Sequence, residues 1–193
     1  MGFTRAELES YRDAEVPDLL PPRGALRLLF VGINPGLWTA ATSTHFAHPG
    51  NRFYPALLRA GVLEHRVDPA AGMTDEDRER LRARGIGITN LVRRATAKAS
   101  ELGPTELRDG AAALTALVEA EAPQVVAVAG ITAYRTAFGV RDAVGGRQPE
   151  PLGGAALWVV PNPSGLNAHE TVETLAEAYA APAREAGLLD PAD

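Results

Sequence analysis

Two asparagines in glycine- and proline-rich loops are the first candidates for chemistry. Asn34 lies in the loop 32–36 (GINPG) and Asn162 in the loop 161–167 (PNPSGLN), each directly after an apolar run. Apolar runs closed by glycine and proline are typical of buried parallel strands, and open α/β sheets bind ligands at the carboxyl ends of such strands. We therefore predict that the two loops form two walls of one crevice, although an asparagine in such a loop is most often a turn former.

Strand and helix patterns alternate along the chain. Apolar runs predict strands at about 27–33, 86–91, 125–129 and 156–160. Helical spacing, capping residues and prolines predict helices at about 4–13, 51–60, 74–85, 104–121, 130–138 and 167–186. This alternation indicates a three-layer α/β/α fold with a central, mostly parallel sheet of about four strands. The segment 38–44 is expected to lie over the crevice, and the glycine-rich segment 139–154 is expected to be a loop.

Length and composition fit one globular domain. The chain has 193 residues, of which 46% are hydrophobic and 22% are charged, so it is long enough to bury its own core. We expect a single domain over 1–193, in which 1–26 supply an N-terminal helix and a linker. The polar N-terminus lacks the apolar region of a signal peptide and no long apolar stretch is present, so we expect a cytoplasmic protein without a membrane partner.

Several kinds of site are excluded or weakened by residues that the chain lacks. It has no cysteine, which excludes disulfides, thiol nucleophiles and thiolate metal clusters. His45 and His48 have no partners at metal-ligand spacing, so no metal or other cofactor is expected. GINPG is not a GxGxxG fingerprint and GxxxxGK[ST] is absent, which argues against dinucleotide and ATP binding.

Four blocks, taken in chain order, resemble one known family. They are GINPGL at 32–37, FAHPGNRFY at 46–54, GITNLVRRAT at 87–96 and NPSGLN at 162–167. Together they are similar to the mismatch-specific uracil-DNA glycosylases and thymine-DNA glycosylases of the uracil-DNA glycosylase superfamily, from about residue 28 to residue 179. The resemblance implies base-excision repair of double-stranded DNA, in which uracil, or a related damaged base mispaired with guanine, is flipped out and its N-glycosidic bond is hydrolysed.

Asn34 is the predicted catalytic residue of such an enzyme. Breaking the bond between C1′ and a base nitrogen leaves an oxocarbenium-like sugar, which a water attacks while the leaving base is stabilised. We expect the amide oxygen of Asn34 to hold that water. Because an amide is not a strong base, the rate must come mainly from positioning and leaving-group stabilisation, which favours bases such as uracil that leave easily as anions.

The base pocket is predicted by resemblance. It comprises Gly32, Ile33, Phe46 and Asn90, where the Phe46 ring would stack on the uracil and Ile33 would supply a backbone contact. From the residues alone, core packing is the better explanation of Phe46. Some bacterial relatives have lysine at the position of Asn90, whereas vertebrate thymine-DNA glycosylases resemble this chain there, so the preferred base stays open.

The second loop is predicted to act on the duplex. Leu166 resembles the residue that family members insert into the hole left by the flipped base. The other predicted contacts to the widowed guanine or the phosphates are Asn162, Ser164, Gly165 and Asn167. The alternative for Leu166 is a hydrophobic staple for the helix that follows.

Charge is distributed unevenly. The net charge is −5, but residues 1–104 carry 14 basic and 12 acidic residues, and 105–193 carry 5 basic and 12 acidic ones. The stretch 82–98 contains five basic residues and no acid, and its Arg93, Arg94 and Lys98 are predicted phosphate contacts. A solvated charged face is the alternative. The acidic balance predicts modest, strongly salt-dependent affinity by a monomer.

Two departures from related enzymes refine the expected activity. Classical uracil-DNA glycosylases have a histidine where this chain has Asn162, so slower and broader catalysis is expected. Lys98 is the single lysine, and a lyase needs an amine for a Schiff base, so we expect a monofunctional hydrolase. The alternatives are a hydrolase of free nucleosides or nucleotides and a non-enzymatic nucleotide-binding domain of flavodoxin-like topology.

Overall fold

The computed structural model describes residues 2–190. Within this range the strands are β1 (Leu28–Gly32), β2 (Ile86–Asn90), β3 (Val125–Ala129), β4 (Gly146–Arg147) and β5 (Ala156–Val160). They form one sheet in the order β2-β1-β3-β5-β4, and every neighbouring pair is parallel except β4 with β5. The predicted fold class is confirmed. The sheet has five strands rather than four because two residues of the segment expected to be a loop pair with the edge of β5.

The helices lie on both sides of the sheet. Their bounds are α1 (Arg5–Glu9), α2 (Leu37–Thr42), α3 (Phe53–Arg59), α4 (Asp75–Ala83), α5 (Pro104–Glu121), α6 (Ile131–Phe138) and α7 (Val172–Glu185). Short 3₁₀ turns occupy Pro69–Ala71 and Ala99–Glu101. In the described range, no helix combines the length and apolarity that crossing a membrane requires.

Alternate residues of β1 build the two cores. Leu28 and Phe30 pack on the side of α3 and α7, whereas Leu29 and Val31 pack on the side of α5 and α6. All four side chains are fully buried, as expected for a parallel strand that is covered on both faces. This burial fixes the point where β1 ends and therefore fixes the position of Asn34.

One helix was not predicted, and one predicted helix start was wrong. The segment 38–44, for which no secondary structure was predicted, is mostly helical, because Leu37 and Ala40 of α2 are buried against Val16 and Ala95 in a small third core. The last helix begins at Val172, where the Thr171 side chain caps it, rather than at 167. Residues 161–170 therefore form a long loop at the carboxyl end of β5.

Candidate active site

Both asparagine loops open into one cleft at the carboxyl ends of the parallel strands. The cleft has a volume of about 820 Å³. The predicted site residues that line it are Gly32, Ile33, Asn34, Phe46, Asn90, Lys98, Asn162, Ser164, Gly165, Leu166 and Asn167. Arg93 and Arg94 are not among its lining residues. The structure thus brings together two loops that lie more than a hundred residues apart in sequence.

The Asn34 amide is anchored through its nitrogen. Nδ2 donates to the carbonyl oxygens of Pro35 and Arg94, both at 3.1 Å, and to Oγ1 of Thr96 at 2.8 Å. Since a carbonyl oxygen only accepts, these partners fix which end of the amide is the nitrogen. Oδ1 accepts no hydrogen bond from residues 2–190, so the one strong acceptor of this side chain remains available in a residue that lines the cleft.

Thr96 is a positioning residue that the sequence analysis missed. Its side chain is buried, and its hydroxyl donates to the carbonyl oxygen of Lys98 at 2.9 Å, which leaves the oxygen lone pairs to accept from Asn34. Its backbone N–H donates to the Pro35 carbonyl at 3.1 Å. Thr96 lies within the block 87–96, but its local sequence does not indicate a contact with Asn34, which lies 62 positions away.

Phe46 borders the cleft on a strained piece of backbone. Its φ is +56°, in the left-handed region that non-glycine residues rarely adopt. One face of its ring stacks on Phe53 with the centroids 4.1 Å apart, and the ring edge approaches Gly32. The side chain is half-buried, so it both packs on the core and presents aromatic surface to the cleft.

Asn90 belongs to a hydrogen-bonded chain that runs away from the cleft. Its Nδ2 lies 3.1 Å from Nδ1 of His45, and Nε2 of His45 lies 3.0 Å from the carbonyl oxygen of Pro17. A Cβ at Gly32 would overlap Oδ1 of Asn90, so glycine is required for the amide to lie there. Burial lowers the pKa of His45, with smaller opposing effects from Pro17 and Asp18 and reinforcing ones from Arg78 and Arg93.

The second wall is shaped by its own side chains and by one arginine. Oδ1 of Asn162 accepts from the backbone N–H of Ser164 at 3.0 Å, and Nδ2 of Asn167 donates to the Asn162 carbonyl at 3.1 Å. The Arg52 guanidinium donates to the carbonyls of Asn167 at 3.0 Å and Glu170 at 2.7 Å. Arg52 lies in the block 46–54, yet its role was not predicted because the contact joins segments over a hundred residues apart.

Leu166 stands at the tip of this wall. Its side chain is 89% exposed, so the staple interpretation is wrong, and α7 begins several residues later. The loop packs closely against the backbone at Gly50. A Cβ at Gly165 would lie only 2.5 Å from the carbonyl oxygen of Gly50. A single exposed leucine is common at protein surfaces, so the feature that bears on a role is the place of Leu166 at the rim of the cleft.

The basic loop, residues 92–98, is largely neutralised by nearby carboxylates. Arg94 pairs with Glu106 at 2.6 Å and Asp13 at 2.9 Å, and Arg93 lies 3.2 Å from Asp18. The Arg94 guanidinium, together with the Gly103 N–H, lowers the pKa of Glu106 to about 2.

Lys98 differs from these arginines. It lines the cleft, and no carboxylate within the described chain lies in ion-pair range of its ammonium. The acids that neutralise Arg93 and Arg94 come from the turn after α1, the linker and α5, and a count of charges within 82–98 does not include them.

No metal centre is visible in the part of the chain that the structure describes. Residues 2–190 contain no group of three or more histidine, aspartate or glutamate side chains placed to hold an ion. The polar and aromatic side chains around the cleft supply amides, hydroxyls, a phenyl ring, the imidazole of His48 and the amine of Lys98.

These features are those of an open α/β protein that binds a ligand at the carboxyl edge of its sheet. An open, mostly parallel sheet carries at its carboxyl edge an amide with an available acceptor, an aromatic ring and an exposed apolar tip on a separate loop.

A family model described as the uracil DNA glycosylase superfamily matches residues 17–182. The chain therefore belongs to the uracil-DNA glycosylase superfamily, and this membership supports a DNA glycosylase activity on uracil.

A solved structure supports the same fold. It is the solution NMR structure of a protein from Methanosarcina acetivorans described as a candidate uracil DNA glycosylase. The two chains are 17% identical with a TM-score of 0.60, and the match covers 91% of this chain and 98% of the other. At this identity the likeness concerns the fold alone.

Proposed function

We propose that the protein is a monofunctional DNA glycosylase that removes uracil, and related deaminated bases, mispaired with guanine in double-stranded DNA. The observation that carries the proposal is the Asn34 amide, whose nitrogen is fixed by three acceptors while its oxygen has no donor among residues 2–190. An acceptor fixed before the substrate arrives can hold a water beside C1′ without reorganising during the reaction.

The bond changes are those of a hydrolysis. As the C1′–N1 bond breaks, its electron pair passes to N1 of uracil and spreads onto the carbonyl oxygens, and the water held by Asn34 adds to C1′ from the opposite face. The attacking water loses a proton to solvent, and the uracil anion takes up a proton from solvent. The products are free uracil and an abasic sugar, and because no covalent enzyme intermediate is needed, Lys98 acts only as a cation near the phosphates.

Base recognition is assigned to Phe46 and Asn90. The flipped base stacks on the ring of Phe46, which is itself supported by Phe53. Asn90 presents Oδ1 above Gly32, where it accepts from N3–H, and its second Nδ2 hydrogen donates to O4. Uracil and thymine share this donor and acceptor pair, whereas cytosine presents the reverse pattern.

Binding to a duplex rather than to a free nucleoside is supported by Leu166. A nucleoside hydrolase needs no exposed leucine at the rim of its site, whereas a base-flipping enzyme uses an apolar side chain to fill the vacated stack. The cleft, at about 820 Å³, also extends from the Lys98 loop to the Leu166 loop, which suits a chain of nucleotides.

The test is alkaline strand cleavage of end-labelled DNA. Duplexes with a single G·U, A·U or G·T pair and a single-stranded uracil oligonucleotide are incubated with the wild type and with Asn34→Ala. We expect cleavage at G·U that exceeds cleavage at A·U and is lost in the variant. Borohydride added during the reaction should trap no protein–DNA adduct. Release of uracil from free deoxyuridine but not from DNA would instead establish the nucleoside hydrolase.

A further inference from the structure

His45 has no assigned role in the proposed reaction, yet it is buried directly behind the base pocket. Its side chain is 5% exposed and is absent from the cleft lining, so it does not touch a base in the cleft. It connects Asn90 to the N-terminal linker through both ring nitrogens. This connection determines which end of the Asn90 amide faces the cleft.

The linker carbonyl fixes the tautomer of the imidazole. Nε2 lies 3.0 Å from the Pro17 carbonyl oxygen, and that oxygen can only accept, so Nε2 carries the hydrogen. In the neutral ring Nδ1 is then a lone-pair acceptor. The group 3.1 Å away must donate, so it is Nδ2 of Asn90, and Oδ1 of Asn90 is left to face Gly32.

The charged groups around His45 are mutually compensated. Asp18 lies on the same linker, but Thr89 donates to one of its oxygens at 2.7 Å and Arg93 to the other at 3.2 Å. Arg78 and Arg93 oppose a positive charge on the ring. The Tyr54 hydroxyl donates to the backbone carbonyl of His45 at 2.9 Å, which holds the residue in place.

We infer that His45 is a specificity-determining positioning residue, whose Nε2–H tautomer locks the Asn90 amide with its oxygen toward the base. This inference rests on the proposed function. With the amide locked, Asn90 complements the N3–H donor and O4 acceptor of uracil. Rotated by half a turn, the same amide complements the N3 acceptor and N4 donor of cytosine. The fixed orientation of Asn90 therefore disfavours the binding of cytosine, an undamaged base of normal DNA.

The expected consequence is a change in selectivity rather than a general loss. In His45→Leu the amide is released and can rotate to suit either base, so uracil binding falls only about twofold because about half of the molecules are correctly oriented. In the locked orientation the oxygen of Asn90 faces the N3 acceptor of cytosine and its N–H faces the N4 donor. Rotation replaces these repulsive contacts by hydrogen bonds, so cytosine binding improves about tenfold. A merely structural role for His45 would weaken the binding of both bases by the same factor.

His45→Gln is the matched rescue. A glutamine amide carries a donor and an acceptor at a separation similar to that of the two ring nitrogens. Because the Pro17 carbonyl only accepts, the glutamine nitrogen must face it, and the glutamine oxygen is left to accept from Asn90. His65→Leu, outside the cleft, is the control for loss of a histidine.

The experiment measures binding to duplexes that carry 2′-fluoroarabino uridine or cytidine opposite guanine, since the fluorine slows bond cleavage. We expect the ratio of uracil to cytosine affinity to fall about twentyfold in His45→Leu and to recover in His45→Gln. The G·U and G·C pairs differ in the free energy needed to open them. Because this difference is the same for every variant, it cancels when the affinity ratio of a variant is divided by that of the wild type. An unchanged ratio in folded His45→Leu overturns the inference.

A second measurement is independent of DNA. Nitrogen NMR of uniformly labelled protein distinguishes the protonated ring nitrogen of each of the four histidines, and loss of one signal set in His45→Gln identifies His45. A neutral Nε2–H tautomer supports the inference, and an Nδ1–H tautomer or a doubly protonated ring at neutral pH overturns it. If the wild type binds neither fluorinated duplex in preference to an unmodified one, the proposed function fails, whatever the tautomer.

Discussion

The two walls of the cleft are held in different ways. The Asn34 wall is tied to residues 91–96 by backbone hydrogen bonds from Leu91, Val92 and Thr96 and by two hydrogen bonds from the Asn34 side chain, to Arg94 and Thr96. The Leu166 wall is a loop of ten residues, 161–170, shaped by turns within itself and by Arg52. Its tip is exposed, whereas the anchors of the first wall are buried.

This difference in structure corresponds to the different functions proposed for the two walls. Positioning a water requires fixed geometry, because a misplacement of about 1 Å can reduce a rate a hundredfold. Entering a base stack requires an apolar group that projects beyond the protein surface. We therefore expect that changes in the first wall reduce the rate on every substrate, and that changes in the second reduce it only where a base must be flipped out of a duplex.

The largest expected effect is that of Asn34→Ala. Removing the water-positioning acceptor should lower the single-turnover excision rate about a thousandfold. The factor should be the same for single-stranded uracil and for a G·U duplex, because the bond-breaking step is the same in both once the base lies in the cleft. Circular dichroism controls for folding, since Asn34 also anchors the carbonyl of Arg94. A variant that retains a tenth of the wild-type rate would remove Asn34 from the mechanism.

Leu166→Ala should separate the two walls. Inserting a leucine that is 89% exposed in the unbound protein buries apolar surface worth about 2 kcal/mol, or about thirtyfold in rate. We expect this loss on a G·U duplex and little change on single-stranded uracil. Leu58→Ala, on α3 outside the cleft, is the control for loss of an exposed leucine. Equal losses on the two substrates would contradict a wedge.

Thr96→Val sharpens the description of the first wall. The change keeps the shape of the buried side chain but removes the hydroxyl that accepts from Asn34. Loss of one such hydrogen bond corresponds to about 1 kcal/mol, or about fivefold in rate, without a change in duplex affinity. Thr96→Ser should retain the rate. In an Asn34→Ala background the valine should have no further effect, and an additive loss would show that Thr96 acts elsewhere.

The sequence indicated the parts of this site that depend on local pattern. Asn34, Asn162 and Leu166 follow apolar runs or sit between turn residues, so strand ends and loops could be predicted from them. The fold class followed from the alternation of strands and helices. The short strand β4 could not be predicted, because two residues carry no periodicity and are ordered only by pairing with β5.

The supporting contacts could not be predicted because they join distant segments. Thr96, Arg52 and His45 act through hydrogen bonds to residues 28 to 118 positions away. Nothing in their local sequence distinguishes them from solvated or core residues. The same limit explains Arg93 and Arg94, whose carboxylate partners come from the turn after α1, the linker and α5.

The smallest expected effect concerns these charges and would test the predicted phosphate contacts. Lys98→Ala should lower the slope of log Kd against log salt by about one, because an unpaired cation at the cleft releases counterions when it meets a phosphate. Arg93→Ala should change the slope less, since Arg93 already lies 3.2 Å from Asp18 and 3.7 Å from Glu15. Fluorescence anisotropy of a G·U duplex at several salt concentrations measures both slopes. Equal decreases would mean that the ion pairs of Arg93 open on binding, and the basic loop would then belong with the Leu166 wall as a surface that contacts the duplex.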